Sequence, residues 1–230
     1  MAKEQPNKWW RIIKKIFLWL FIGQLVYILY CKWFDPPITI TQLVNLAQGN
    51  GLKRDYINYD EMGNNIKLAV IASEDQLFPD HEGFDTTAIK KALKYNKTHK
   101  RKRGASTISQ QTAKNVFLWQ HGGYFRKGLE VYFTFMIEKI WSKKRVLETY
   151  LNVAEMGKGI FGVQAAAKAY FNKDASALTK QEAAMIAACL PNPKKYTVKP
   201  LHKYVAARSA RILRQMGYLE SDPDIIALMK

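Results

Sequence analysis

The run IFLWLFIGQLVYILYC, Ile16 to Cys31, carries no charge over 16 residues and constrains the chain more than any other stretch. It is a little short of the roughly 20 apolar residues that a spanning helix prefers. Ile12 and Ile13 extend it, with Lys14 and Lys15 snorkelling at one end and Lys32 at the other. Trp9, Trp10, Trp19, Tyr27, Tyr30 and Trp33 supply aromatics, several of them near the ends. No small-x-small cleavage site follows the run, and it has no charged face, so an uncleaved membrane anchor is expected rather than a signal peptide or a surface helix. Lys3, Lys8, Arg11, Lys14 and Lys15 precede or open it. That positive flank is expected in the cytoplasm, with residues beyond about 35 outside. The expected divisions are a basic tail over 1–11, a transmembrane helix over 12–32 and an outer domain over 33–230.

The outer domain is basic in its own right. The chain has 36 Lys+Arg against 19 Asp+Glu, a net charge of +17. Residues 1–32 hold +5 of that, and +12 falls to the rest. A nucleic-acid partner fits poorly, because the basic domain faces away from the nucleic acid. An anionic lipid or a lipid-linked substrate fits both the charge and the anchor. Cys31 and Cys189 form neither a disulfide framework nor a zinc spacing. His99, His121 and His202 lack a partner pattern, and no metal site is expected.

After the extended linker expected at PPITITQL, from Pro36, the pattern is helical and strand signals are weak, so the fold class is mostly α. NIKLAVIASEDQ reads as a helix ending near Phe78-Pro79. Asp85 is an N-cap for DTTAIKKALKYN, and Thr107-x-x-Gln110 is a capping pattern for STISQQTAKNVFLW. The stretch from Arg126 to Gly157 reads as two helices. Thr179-x-x-Glu182 caps a helix stopped by Pro191, and a last amphipathic helix has Gly217 near its end.

Three stretches could carry chemistry. In ASEDQLFPDHEGFD, Glu74 follows the apolar LAVIA segment. Partial burial there would make it a proton-transfer group, while the alternative is a solvated loop carboxylate. In GASTISQQTAKN, Ser106 and Thr107 sit at a helix N-terminus suited to an anion. Gln110, Gln111, Lys114 and Asn115 follow on neighbouring turns, though an ordinary capped helix explains the same pattern. In RKGLE, Arg126 and Lys127 flank Glu130 at helical spacing, and simple ion pairing is the plainer account. The run KTHKRKRG, Lys97 to Gly104, reads as a mobile basic loop.

EDQLFPDHEGFD, GASTISQQTAKN, RKGLE, KKRVLETYLN and LTKQEAAMIAACLPNP together, in this order, resemble the peptidoglycan glycosyltransferases. YLNVAEMGKGIFGVQAAAKAYF narrows the resemblance to monofunctional members, and no transpeptidase-type S-x-x-K or K-T-G pattern is present. The resemblance covers about residues 36 to 215. It implies a lysozyme-like, mostly α glycosyltransferase domain beside one N-terminal transmembrane helix. It implies polymerisation of lipid II with inversion, from the undecaprenyl-pyrophosphate-linked chain to the lipid II 4-hydroxyl. Carried over residue by residue, it makes Glu74 the general base and Glu130 the second essential carboxylate. It assigns substrate binding to Asp75, Phe78 and His81, to Ser106, Thr107, Gln110, Gln111, Lys114 and Asn115, and to Arg126 and Lys127. Lys143, Glu148, Tyr150 and Asn152 match the fourth motif, which shapes the cleft.

No cofactor is required, and a divalent cation, Mg or Mn, is admissible at the pyrophosphate. The membrane is an expected partner and cell-wall synthesis proteins are admissible ones. The expected location is the bacterial inner membrane, single-pass, with the catalytic domain on the periplasmic side. Family members often carry an arginine between Lys114 and Arg126, where this chain offers Gln120 and His121. Two rival readings use the same residues: a glycan hydrolase or lytic transglycosylase, and a non-catalytic binder of anionic lipid.

Overall fold

The computed structural model describes residues 8–99 and 102–230. Lys3 and the start of the basic tail, and Lys100 and Arg101 of the basic run, lie outside the described residues. The chain divides into two units, residues 1–36 and residues 37–230.

In the first unit, helix α1 (Lys8–Trp33) is long and apolar enough to cross a membrane. At 1.5 Å per residue its 26 residues span about 39 Å, against roughly 30 Å of hydrocarbon. Lys14 lies over the Trp10 ring at 5.3 Å and Lys32 over Trp33 at 5.2 Å, which gives each cation a partner near a helix end.

The second unit is mostly α. Its helices are α2 (Ile40–Ala47), α3 (Asn64–Glu74), α4 (Thr86–Thr98), α5 (Ile108–Phe117), α6 (Tyr124–Ile140) and α7 (Lys143–Val153), followed by α8 (Val163–Phe171), α9 (Lys180–Cys189), α10 (Lys203–Leu219) and α11 (Pro223–Met229). They form two groups: α3 packs on α9 and α10, and α5 packs on α6 and α7. Helix α3 is enclosed, with every residue from Ile66 to Ala72 buried. Burying each Leu, Ile or Val there contributes about 1.5–3 kcal/mol. Lys67 is also buried, its ammonium 3.8 Å above the Tyr59 ring, whose hydroxyl donates to the Leu228 carbonyl at 2.8 Å.

Several expectations are corrected. The stretch read as a linker starts a helix at Ile40. Thr39 and Gln42 form the same reciprocal capping box recognised at Thr107, and Pro36-Pro37 masked it. Helix α3 ends at Glu74 rather than near Phe78, because Asp75 leaves helical geometry and gives its carboxylate to tertiary partners. Gly217 does stand near the end of the last amphipathic helix, as expected, since α10 closes at Leu219. The sequence reading also passed over α11, which Asp222 caps by accepting from Asp224 N and Ile225 N. The caps at Asp85, Thr107 and Thr179 stand where the sequence places them.

A small sheet, order β1-β3-β2, joins Lys53–Arg54, Ile160–Phe161 and Glu155–Gly157. β1 and β3 are parallel, with Lys53 opposite Ile160. β2 and β3 are antiparallel, with a bulge between Glu155 and Gly157. Gly159 makes the turn at φ +69°, and a Cβ there would meet the Asn50 carbonyl at 2.2 Å. The flanks of the basic run are tied down: Arg103 N donates to Asn96 Oδ1 at 2.7 Å, and the Arg103 guanidinium lies 3.8 Å from the Tyr95 ring.

Candidate active site

Glu74 sits at the last turn of α3, where the two helix groups meet. Its Oε1 accepts from Ser73 Oγ at 2.8 Å and from Arg208 Nη2 of α10 at 3.2 Å. Its Oε2 accepts from Gln111 Nε2 of α5 at 3.0 Å. Gln111 is itself oriented by Tyr150 of α7, whose hydroxyl donates to Oε1 at 3.1 Å. Burial, and then the Glu74 charge, push the Tyr150 phenol well above its ordinary value, so it stays a donor. Glu74 is therefore neither a solvated loop carboxylate nor an isolated apolar one. Three donors fix its rotamer, and a carboxylate has acceptor capacity beyond them.

Glu130 lies on α6 and is 3% exposed. Arg126 Nη1 donates to its Oε2 at 2.7 Å, and Lys127 Nζ donates to its Oε1. Phe117 of α5 stacks on Phe133 of α6, with centroids 4.7 Å apart, and holds this helix against α5.

Lys114 stands between the two carboxylates electrically. Burial holds its ammonium below the usual lysine range, Glu130 and then Glu74 oppose that, and Arg126 and Lys127 add to it. Among the described residues its Nζ has no hydrogen-bond or ion-pair partner. Arg126 Nε and Arg208 Nε are donors buried from solvent and without a partner. Unmet buried donors are costly, about 1–3 kcal/mol each, so these groups are disposed to bind a ligand oxygen.

Lys114 also lines a cleft of about 570 Å³, together with Gln111, Asn115 and Tyr150. Glu74, Gln111, Tyr150, Lys114, Glu130, Arg126 and Lys127 thus form one constellation, assembled from α3, α5, α6 and α7.

The remaining sequence-selected residues, Ser106 excepted, are buried or held by internal partners. Asp75 accepts from Ile108 N at 2.9 Å, capping α5, and from His81 Nε2 at 3.0 Å. His81 Nδ1 accepts from Gly83 N at 3.1 Å, which places the ring proton on Nε2. Gly83 has φ +87°, and a Cβ there would lie 2.8 Å from the Glu138 side chain. Its carbonyl accepts from Thr107 Oγ1 at 2.7 Å. Thr107 and Gln110 complete their capping box, Phe78 is fully buried and Ser106 is exposed. Lys143 bonds Glu138 at 2.9 Å and the His81 carbonyl, and lies 4.7 Å from the Phe78 ring. Glu148 accepts from Tyr59 N and Arg145. Asn152 clamps both backbone groups of Ile57. Asn115 accepts from Gln120 at 3.0 Å, and Gln120 also donates to Thr41 at 2.8 Å. The Gln120 amide is thus committed, and both Gln120 and His121 line the cleft.

Sequence reasoning missed Arg208, Ser73 and Glu138. Arg208 is one of several basic residues on an amphipathic helix, and no local signal separates it from the others. Among the described residues no group of three or more His, Cys, Asp or Glu could hold a metal.

Arg208→Ala is expected to lower kcat about 10–100-fold with KM changed less than about threefold, because Glu74 keeps its place but loses a fixed rotamer. Steady-state kinetics beside a melting curve check this. A change in melting temperature alone, with kcat intact, would assign Arg208 to structure only.

The profile of the transglycosylase family matches residues 41–217. Three relatives carry the description biosynthetic peptidoglycan transglycosylase. The Mannheimia succiniciproducens protein is 48% identical over 211 residues, covering 88% of this chain and 86% of its own. The Aeromonas hydrophila protein is 46% identical over 209 residues, covering 89% of each. The Bdellovibrio bacteriovorus protein is 44% identical over 217 residues, covering 92% of this chain and 86% of its own. With a matched span running from α2 into the last turn of α10, and so including both glutamates and every cation around them, the chain belongs to the transglycosylase family.

Proposed function

We propose that this chain polymerises the glycan strands of peptidoglycan. It transfers the growing undecaprenyl-pyrophosphate-linked chain to the 4-hydroxyl of lipid II, with inversion, and releases undecaprenyl pyrophosphate. The observation that carries this is Lys114, unpaired, lining the cleft and placed electrically between Glu74 and Glu130.

An inverting displacement needs a base on one face of the sugar and stabilisation of an anionic leaving group on the other. Glu74, held by Gln111 and Arg208, takes the proton of the attacking hydroxyl. Lys114, Arg126 and Lys127 meet the developing diphosphate charge. Glu130 keeps the last two cations aimed and spaced. Asp75, His81, Thr107, Gln110, Lys143, Glu148 and Asn152 act through the scaffold, and Gln111, Asn115 and Tyr150 line the cleft. A glycan hydrolase needs the carboxylates but has no use for the cation row.

The lipid nature of the substrate accounts for two further features. Helix α1 anchors the chain in the inner membrane, with the second unit on the periplasmic side. Helix α6 carries an exposed apolar set beside the cations: Tyr124 is 98% exposed and Phe125 76%, with Val131 and Phe135 also exposed. Such a set rests on lipid. Phe125→Ser/Phe135→Ser is expected to lower turnover of vesicle-borne lipid II about tenfold, while turnover of a short-chain analogue in detergent changes less than about twofold. Equal loss on both substrates would remove α6 from the lipid surface.

The function itself is tested with labelled lipid II and the detergent-solubilised full chain, products resolved by gel. A ladder of glycan polymer is the expected result. Lipid binding without polymer, across detergents and divalent cations, would leave a non-catalytic lipid binder. Cleavage of preformed glycan would leave the hydrolase.

A further inference from the structure

The cleft is lined by more residues than the transfer uses. Beside Gln111, Lys114 and Tyr150 its lining includes Asn45 of α2, Glu155 of β2 and Lys194 of the loop after α9. None of these last three is used by the transfer described above.

Glu155 is half-buried and makes no ion pair among the described residues. One of its oxygens accepts from Gly159 N at 3.3 Å, a long bond to a turn that only glycine can make. Burial raises its carboxyl above the ordinary range, and Gly159, Lys194 and Asn45 only partly offset this. A desolvated carboxylate with such weak compensation favours an added cationic donor. Lys194 is exposed, lines the same wall and acts on Glu155 from a distance without pairing with it. His121 is another titratable group on the cleft wall, as is Lys114.

A lone ammonium would be drawn to Glu155 but repelled by Lys194. A lone carboxylate would meet the reverse. A group bearing both charges satisfies both residues.

We infer that the Glu155–Lys194 part of the cleft binds a zwitterionic amino-acid terminus, an ammonium and a carboxylate on one carbon, carried by the peptide of the substrate. The ammonium pairs with Glu155 and the carboxylate with Lys194. This rests on the polymerase reading, since the peptide of a peptidoglycan precursor is what reaches beyond its sugars. The site selects among substrates and performs no step of the transfer.

The test uses the full chain and two lipid II preparations in one detergent. In one the third peptide residue is diaminopimelate, whose side chain ends in the zwitterion. In the other it is lysine, which ends in an ammonium alone. Wild type is expected to prefer the first about tenfold in kcat/KM, mainly through KM. Glu155→Gln, which keeps the acceptor for Gly159, and Lys194→Met should each bring that ratio below about two. Lys158→Met, which removes an exposed charge on the neighbouring turn, should leave the ratio at the wild-type value. If Glu155→Gln does not fold, the exposed Lys194→Met carries the test.

A wild-type ratio near one overturns the inference, as does a wild-type ratio retained in both variants. Equal loss on both substrates in Glu155→Gln assigns the carboxylate to a sugar hydroxyl and overturns it too. In all three cases the glycan ladder survives and the polymerase reading stands. Absence of polymer from either substrate overturns both.

Discussion

Glu74→Gln is expected to abolish the glycan ladder, with kcat falling by about 10³-fold, within the range for loss of a positioned general base. The replacement keeps the size of the side chain and one carbonyl acceptor. Gln111 and Tyr150 can therefore keep their places in the chain that ends at Glu74. Arg208 loses its counter-charge but retains the Ser73 carbonyl at 3.1 Å and Ser73 Oγ at 2.9 Å. The melting temperature should accordingly move by less than about 4 °C, the equivalent of roughly 1 kcal/mol in a chain of this size. Lipid II binding should persist, because the cations that meet the diphosphate are untouched. Polymer from the variant at the wild-type rate would remove Glu74 as the base, and polymer lost together with the fold would leave the role undecided by this residue. Glu74→Asp separates those cases: it keeps the charge, shortens the reach, and should recover a measurable fraction of the rate.

Glu130→Gln should damage stability as well as rate. The carboxylate is 3% exposed and holds Arg126 and Lys127. Breaking a buried pair by removing one partner costs about 3–5 kcal/mol. The Lys127 side chain is 43% exposed and can turn to solvent, so the expected cost is nearer 2–3 kcal/mol. That corresponds to a fall of about 5–10 °C in melting temperature. Turnover should drop about 10²-fold, because Lys114, Arg126 and Lys127 then repel one another without a shared counter-charge. Adding Arg126→Gln to Glu130→Gln removes one uncompensated cation. The double variant should regain about half of the lost stability and none of the lost rate. If stability and rate recover together, the sole task of Glu130 is to neutralise Arg126.

Much of the constellation was legible because it is local. Arg126, Lys127 and Glu130 are three and four residues apart on one helix, and that spacing brings their side chains together whatever surrounds them. Thr107 and Gln110 cap α5 by the same local logic, as Asp85 caps α4 and Thr179 caps α9. The apolar run in α1 needs only its own composition to read as a spanning helix.

Other residues depended on partners distant in sequence. Asp75 reads as one more polar residue of a helix running on toward Phe78, yet it terminates α3 and caps α5, 33 residues on. Its short polar side chain serves equally in solvent or inside a fold, so nothing near it announces the task. Asn152 reaches back 95 residues to clamp Ile57. Arg208 reaches Glu74 across 134 residues. A long cationic side chain on an amphipathic helix is ordinary on the surface, and only the packing of α10 on α3 turns it inward.

By itself the sequence determined the N-terminal helix long and apolar enough to cross a membrane, the helical class, most helix starts and the glutamate held between Arg126 and Lys127. Each follows from composition or from contacts within about four residues. Tertiary structure alone decided how Glu74 is held, which cation stays unpaired within reach of both carboxylate charges, and that Glu155 and Lys194 line the same cleft. Those depend on which helices lie side by side, and in this chain that is settled by burial of the apolar faces of α3, α5, α9 and α10 rather than by any residue of the site.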